Sequence, residues 1–173
     1  MPVTATYFPR PVALKDIAVG DVVVRSGAYG DVIAMRVQLG DDPDLVLVLA
    51  SILADGSAQA MAPYLDRADT GVHCRIAEPL VARPRVAIPI AMVTDPPNGA
   101  LAISQDGSPF LRFRLSPDRT HPAYLNLTTG RIEAFEGQRA FYADWDLCRQ
   151  DEHGETVIVS FPVRRPELAR AVA

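Results

Sequence analysis

Short runs of β-branched and other apolar residues, separated by prolines, are the feature that most constrains the fold of this chain. There are 15 prolines among 173 residues, against a usual share of about 5%. No segment of twelve or more residues spaces its apolar residues as a helix would. The pattern therefore predicts an all-β chain with at most short helices. The strand candidates are Val22–Val24, Val32–Leu39, Leu45–Leu49, Val86–Met92, Leu101–Ser104, Leu111–Leu115, Tyr124–Leu127, Trp145–Cys148 and Thr156–Phe161.

Two segments are compatible with short helices. These are Ala58–Arg67, which a proline interrupts, and Pro166–Val172, whose Pro and Glu suit a first helical turn. Leu45–Leu49 is apolar on both faces, which predicts a central strand covered above and below. Pro89 places Val86–Met92 at a sheet edge or breaks it.

Side-chain parity predicts the register of two hairpins, because a slip of one residue exchanges the two faces of a strand. With Glu152–Gly154 as a three-residue loop, Trp145 faces Phe161 and Leu147 faces Val159, and the loop glycine takes the left-handed position. A four-residue loop is rejected because it places the tryptophan opposite a serine.

The second hairpin joins Leu101–Ser104 to Leu111–Leu115 through a loop at Asp106–Ser108. A two-residue Asp-Gly turn is rejected, since it would turn Phe110 and Arg112 to the buried side. The predicted pairs are Leu101 with Phe113 and Ile103 with Leu111.

The chain also resembles itself after a shift of about 78 residues, with matched positions on matching strand faces. An insertion, a deletion and a one-residue difference in the first hairpin loop are needed. The segment at 79–84 likewise resembles that at 162–166. The matched pairs are Pro11/Pro89, Ala13/Ala91, Asp16/Asp95, Gly20/Gly99, Ser26/Ser104, Ile33/Leu111, Met35/Phe113, Arg36/Arg114, Val37/Leu115, Leu47/Leu125, Leu49/Leu127, Tyr64/Tyr142 and Asp66/Asp144.

A repeat of nearly eighty residues is marginal alone, so two copies are expected to bury one face against each other. We predict an internally duplicated pseudo-two-fold β-sandwich or a pair of fused small β-barrels. The expected organisation is an extended N-terminal arm at 1–10, repeat 1 at 11–84, repeat 2 at 85–166, and a short C-terminal helix or tail at 167–173.

Charge and hydropathy exclude several classes of function. Asp and Glu outnumber Lys and Arg by 21 to 17, which argues against nucleic-acid binding because phosphate neutralisation needs clustered cations. The longest near-apolar run, Leu45–Ala54, is about half of what a membrane helix requires. The start, MPVTATYFPRP, lacks the pattern of a secretory signal. We expect a soluble, cytoplasmic protein with two reduced cysteines and no membrane partner.

No chemical motif rises above background. His73 and Cys74 are adjacent and therefore point to opposite faces of a strand, so they form no nucleophile–base pair. Asp144 and Asp146 share one strand face, as a metal or acid/base pair would, but a solvated face is the simpler explanation because Trp145 between them points inward. The acidic run at 41–44 lacks the glycine and glutamate of a calcium loop. We therefore expect no metal, no cofactor and no catalytic residue.

Two groups of residues are candidates for contacts with other molecules. An extended arm with two aromatics pairs with a neighbour or covers its own core, and arginines on outward strand faces meet acidic partners. A groove between the repeats is the alternative, ligand-binding or enzymatic, location. The partner-binding candidates are Tyr7, Phe8, Arg10, Arg36, Arg112 and Arg114. The groove candidates are Tyr64, Asp66, Tyr142, Asp144 and Trp145.

From these observations the leading hypothesis is a non-enzymatic structural or protein-interaction module that associates with itself or with another protein. The alternative is a small-molecule-binding protein or enzyme with its site between the repeats.

Overall fold

The computed structural model describes residues 12–27, 30–67, 72–76, 80–85, 96–115, 121–135 and 140–162. Within these ranges the chain is nearly all β, as predicted, with a single 3-10 turn at Leu14–Asp16. The strands are β1 (Val22–Gly27), β2 (Gly30–Leu39), β3 (Asp42–Ile52), β4 (Ala58–Arg67), β5 (Val72–Ile76), β6 (Leu80–Pro84), β7 (Leu101–Ile103), β8 (Pro109–Arg114), β9 (Pro122–Asn126), β10 (Ile132–Glu133), β11 (Ala140–Tyr142), β12 (Asp144–Asp151) and β13 (Gly154–Pro162). No helix in the described part of the chain is long and apolar enough to cross a membrane.

The strands form three antiparallel sheets. Sheet 1 has the order β4-β3-β2-β1-β5, and sheet 2 has the order β10-β9-β8-β7-β11. Sheet 3 has the order β13-β12-β6, so it takes one strand from residues 11–84 and two from residues 85–166. None of the three closes into a barrel over the residues described.

One main core lies between the three sheets. Its fully buried members include Met35 and Leu47 from sheet 1, Leu111 and Phe113 from sheet 2, and Trp145 from sheet 3. Alternate residues of each strand supply this core, as the two-residue period of a strand requires. Both halves of the chain therefore fold around the same apolar interior.

Sheets 1 and 2 are covered on their second faces as well. The first side cluster consists of Leu14, Ile17, Val23, Ala34, Val46 and Val48. The second side cluster consists of Ala100, Ala102, Phe110 and Phe141, with Tyr124 and Phe135 packed against it. The prediction that Leu45–Leu49 is covered above and below is confirmed, since its odd-numbered residues lie in the main core and its even-numbered ones in the first side cluster.

The covered second face of sheet 2 corrects one argument made from the sequence. Phe110 and Arg112 are 6% and 2% exposed, so the prediction that these two residues do not face the protein interior is wrong. Leu101 pairs with Leu111 instead of Phe113, and Ile103 pairs with Pro109. The loop lies at residues 105–107, closed by the N–H of Ser104 donating to the carbonyl of Ser108. The shift is two residues, which preserves the predicted faces.

The other predicted hairpin register is confirmed: Trp145 is opposite Phe161, and Leu147 is opposite Val159. The predicted loop is wrong by one residue, because Asp151 pairs with Gly154 and leaves a two-residue turn. A β-bulge beside Leu147 compensates for the shorter loop. Gly154 has the predicted positive φ, +119°.

The short helix that the sequence allows at Ala58–Arg67 does not form, because this segment is β4 at the edge of sheet 1. Its register against β3 shifts between Val48 and Ala50, so Pro63 lies in a bulge where it removes no ladder hydrogen bond. The strand candidate Val86–Met92 and the tail at 167–173 lie outside the described residues.

The turns before β1 and β7 have the same hydrogen bonds. Gly20 donates its N–H to the carbonyl of Arg36 at 2.8 Å, and Gly99 donates to the carbonyl of Arg112 at 2.8 Å. Both glycines have positive φ, +95° and +86°. Each turn contacts the opposite sheet: Gly20 meets the backbone of Gly130 before β10, and Gly99 lies beside Pro63 of β4. Correspondingly, β4 contacts β8 and β10 contacts β2.

Sheet 1 is strongly curled. Arg25 on β1 forms an ion pair with Asp66 on β4 at 2.5 Å, although these strands are three spacings apart, about 14 Å in a flat sheet. The two residues are also far apart along the strand direction. Arg25 pairs with Val32, which pairs with Ser51 on β3, whereas Asp66 pairs with Val46, five residues away on the same strand. That offset is about 16 Å. Only a sheet rolled with a stagger brings the two side chains together.

Candidate functional site

Charged residues converge on the outer face of sheet 3, opposite the main core. Asp146 on β12 lies directly between Arg83 on β6 and Ser160 on β13. Arg85 follows β6 and holds its place by donating its backbone N–H to the carbonyl of Asp144 at 3.0 Å. We call Arg83, Arg85, Asp146, Glu155 and Ser160 the ion cluster.

Both carboxylate oxygens of Asp146 are engaged, although the residue is only 3% exposed. Oδ1 lies 3.2 Å from Nε of Arg85 and accepts a hydrogen bond from the Ser160 hydroxyl at 2.7 Å. Oδ2 lies 3.6 Å from Arg83, which also bonds Glu155 at 3.0 Å. A buried carboxylate needs such partners, because losing them leaves an uncompensated charge that costs about 3–5 kcal/mol.

Cys148 lies on the same face of β12, two residues after Asp146. It pairs with Val81 of β6 and with Val157 of β13. Its thiol is free and fully buried. Burial raises the pKa of Cys148 above its usual 9.0, and Asp146 and Glu155 raise it further while Arg83 lowers it. A buried thiol that stays protonated is a poor nucleophile, so this residue acts as a small apolar side chain. The Cys74 side chain lies outside the described residues.

The predicted partner-binding arginines occupy three different environments. Arg36 is half-buried and donates to the carbonyls of Leu14 and Ile17, which tethers the 3-10 turn to sheet 1. Arg112 is buried, faces Tyr124 across the strand pair, and lies 3.5 Å from the Asn98 side chain. Of the three that the structure describes, Arg114 alone is exposed. Arg36 and Arg112 do lie on the strand faces opposite the main core, as predicted, but these faces are covered, so Arg112 is buried and Arg36 is only half exposed.

The groove candidates do not converge on one surface. Trp145 is completely buried, stacks on Phe161 with centroids 4.3 Å apart, and donates its Nε1–H to the carbonyl of Gly99 at 2.8 Å. Asp66 is engaged by Arg25, and Tyr64 is 42% exposed on β4. The half-buried Tyr142 and Asp144 lie on β11 and β12, in sheets 2 and 3.

The arm residues Tyr7, Phe8 and Arg10 lie outside the described part of the chain, so their predicted role stays a prediction. Among the residues described, no three His, Cys, Asp or Glu side chains are grouped so that they could hold a metal ion. His153 lies in the β12–β13 turn, where the sequence places it.

Sequence reasoning missed Arg83 and Arg85. It singled out the Asp144–Asp146 pair but predicted a solvated face, because nothing local indicates that a strand more than sixty residues away pairs with β12. The one available signal was the position of these arginines at the end of the apolar segment Leu80–Pro84. Arginines in such positions are common on protein surfaces and do not by themselves indicate an ion pair.

Comparisons with known proteins are negative throughout: no family model, no curated protein and no solved structure matches this chain.

Proposed function

We propose that this protein is a non-enzymatic structural or protein-interaction module, one subunit of a larger homo- or hetero-assembly. The observation that carries the proposal is the ion cluster, whose charged side chains form ion pairs and hydrogen bonds with one another. Both oxygens of Asp146 are occupied by Arg83, Arg85 and Ser160. A general base needs a free oxygen within reach of a substrate proton, so this cluster is built to join three strands.

The proposal includes an internal duplication that produced sheets 1 and 2. Its support is the identical strand order, the matching hydrogen bonds at Gly20 and Gly99, and the reciprocal contacts between the sheets. In this correspondence Arg36 matches Arg112, two residues from the Arg114 predicted from the sequence. Tyr64 and Tyr142 lie at different places in the strand order, so that predicted match has no structural counterpart.

Of the two predicted architectures, we favour fused, partly rolled barrels over a flat sandwich. Each five-stranded sheet has its own side cluster in addition to the shared main core. A simple two-layer sandwich covers only one face of each sheet. The curl of sheet 1, which brings Arg25 and Asp66 together in an ion pair, also favours a partly rolled barrel over a flat sandwich.

The proposed contact surface surrounds β4. Met61 and Tyr64 on this strand are 37% and 42% exposed, and Leu53 in the preceding turn is 44% exposed. The bulge at Pro63 interrupts the regular hydrogen-bonding edge of β4, so an added strand would be poorly bonded there. Partners would therefore meet the side chains of this surface, together with the arm residues predicted from the sequence.

Size-exclusion chromatography with light scattering tests the proposal. We expect a mass above that of one chain, and the double variant Met61→Ser/Tyr64→Ser should shift it toward the monomer because the apolar contact area is lost. Leu39→Ser, at an exposed residue of similar character away from β4, is the matched control and should leave the mass unchanged. A strict monomer that also binds no protein in a pull-down would overturn the proposal.

A thermal-shift screen with metals and common metabolites separates this proposal from the ligand-binding alternative. A ligand at 100 times its Kd adds about 2.7 kcal/mol to the stability of the folded state. A saturable rise in the melting temperature that disappears in a Tyr142→Phe or Asp144→Asn variant would support a ligand site in the groove. The same result would contradict the proposal of a non-enzymatic interaction module. Under our proposal, no compound in the screen gives such a shift.

A further inference from the structure

The turn before β7 contains the one Asn-Gly dipeptide of the chain, Asn98-Gly99. An asparagine side chain is attacked most readily by the backbone nitrogen of a following glycine, because glycine has no side chain to shield that nitrogen. Asn126, the other asparagine, is followed by leucine. On sequence alone, Asn98 is therefore the asparagine of this chain that loses its side-chain ammonia first.

The fold holds Asn98 and Gly99 in a type II turn. The Ala100 N–H donates to the carbonyl of Pro97 at 3.1 Å, and Gly99 has φ +86°, as the third residue of such a turn requires. The second residue of a type II turn has ψ of about +120°. This rotation directs the Gly99 nitrogen away from the Asn98 side chain, whereas ring closure needs both on the same side of the Cα–C bond.

Both backbone polar groups of Gly99 are bonded in the protein interior. Its N–H donates to the carbonyl of Arg112 at 2.8 Å, and its carbonyl accepts from the Trp145 indole N–H at 2.8 Å. Gly99 is buried, and Trp145 is completely buried. Rotating the Gly99 nitrogen toward the Asn98 side chain breaks the bond to Arg112 and leaves buried polar groups unpaired, which is costly.

We propose that Asn98 is a latent deamidation site, which the hydrogen bonds of Gly99 keep unreactive until this turn opens. In the reaction the Gly99 nitrogen loses its proton to solvent and bonds to Cγ of Asn98. The Cγ–Nδ2 bond breaks, and Nδ2 takes up a proton and leaves as ammonia. Water then opens the resulting succinimide at either carbonyl, which gives aspartate or isoaspartate.

The two products have different effects on the turn. Aspartate keeps the main chain unchanged, and it adds a negative charge at a side chain whose Oδ1 lies 3.5 Å from the Arg112 guanidinium. Isoaspartate adds a methylene to the main chain between the Pro97 carbonyl and the Ala100 N–H, so the same turn cannot form again. An isoaspartate at position 98 is therefore a permanent mark of a chain in which this turn has opened.

Mass spectrometry of the full chain, incubated in mildly alkaline buffer with and without guanidinium chloride, tests the site. Deamidation of Asn98 should be at least about tenfold slower in the folded protein than in the unfolded chain, because it must wait for an opening that breaks buried hydrogen bonds. Asn126 is the internal control and should react more slowly than Asn98 in guanidinium chloride. Equal rates at Asn98 in the two conditions would overturn the proposal, as would an unfolded chain in which Asn98 does not react.

Trp145→Phe separates opening of this turn from unfolding of the whole protein, because it removes the indole N–H that holds Gly99 and keeps an aromatic ring in the core. This variant should accelerate deamidation of Asn98 severalfold. Leu47→Val is the matched control, since it also shrinks a fully buried side chain of the main core but lies on sheet 1. The two variants are compared at equal stability, set with guanidinium chloride. Equal acceleration in both would show that the bonds of Gly99 do not protect Asn98, and the proposal would be wrong.

Discussion

Gly130 is a position where the backbone leaves no room for a side chain. Its φ is +70°, and a Cβ there would overlap the backbone nitrogen and Cα of Gly20. The close approach joins the turn before β1 to the segment before β10, so the clash cannot be relieved by moving a flexible side chain. Glycine is required here for two reasons, the left-handed conformation and the absence of a side chain.

Gly130→Ala should therefore destabilise the protein by about 3 kcal/mol or more, as both strain and overpacking contribute. Gly40→Ala is the control, because Gly40 has φ +59° and a Cβ added there would meet nothing within 4 Å; it should cost only about 1 kcal/mol. Urea unfolding of both variants measures the difference. Equal losses would show that the Gly20–Gly130 approach carries no energetic weight.

Cys148 makes a pH-dependent contribution to stability. Burial raises its pKa in the folded protein above the usual 9.0, so folding favours the protonated thiol. The contribution is present below about pH 9 and is lost as pH rises through the folded-state pKa, because the unfolded chain releases its proton first. As pH rises above about 9, the stability of the wild type should fall more steeply than that of Cys148→Ala. Parallel unfolding curves across this range would contradict the burial effect.

At the scale of elements, the ion cluster predicts an asymmetry between its charges. Arg83 and Arg85 are 49% and 39% exposed in their side chains, whereas Asp146 is 5% exposed. If the carboxylate is neutralised, the arginines can turn toward water. If the arginines are removed, the buried carboxylate has no compensating charge.

Arg83→Met/Arg85→Met should therefore cost about 3–5 kcal/mol, and Asp146→Asn should cost markedly less. Thermal or urea unfolding gives both values. Ser160→Ala removes the third partner without changing charge and should cost about 1 kcal/mol, the usual size of one hydrogen bond. A larger loss for Asp146→Asn than for the arginine pair would mean that the carboxylate contributes more than charge compensation.

Hairpins show which element-scale features a sequence can predict. The pairing of Trp145 with Phe161 is predictable, because side chains alternate between the two faces of a strand and only one alignment of the hairpin buries both aromatic rings. The turn length is not, since a bulge beside Leu147 allows a shorter turn with the same faces. The apolar residues of Ala58–Arg67 are compatible with a short helix, but pairing with β3 makes the segment a strand and places Pro63 in a bulge.

At the scale of the whole molecule, the two halves depend on each other. β6 pairs with β12, and the main core takes residues from all three sheets. The Trp145 indole, which belongs to the second half, packs in this shared interior beside residues of the first half. A half chain would expose the apolar face that the other half covers, and a domain of this size has little stability to spare.

We therefore expect a fragment of residues 1–90 to be unfolded alone, and a fragment of residues 91–173 likewise, while an equimolar mixture regains β-structure. Circular dichroism and the dispersion of amide proton signals measure this result. Cooperative unfolding of either isolated fragment would show that the halves are independent domains.

The ion cluster illustrates what lies beyond sequence reasoning. Asp146 is a candidate from the sequence because it shares a strand face with Asp144, but its partners on β6 are distant in the chain. Alternation places Arg112 opposite the core residues and so predicts that it faces solvent. It is instead buried on the same face of β8 as Phe110, whose side cluster includes Phe135 and Phe141 from later segments. Local periodicity carries no information about which segment covers a second face.

The sequence by itself determined that the chain is β-rich, which residues of most strands face the core, and that β3 is covered on both sides. These properties follow from local composition and the two-residue period of a strand. Only the tertiary structure decided the strand order, the rolling of sheet 1 and the neutralisation of Asp146 by two arginines. They depend on contacts between distant segments, whose energies come from burial and charge pairing and not from the residues next to each other in the chain.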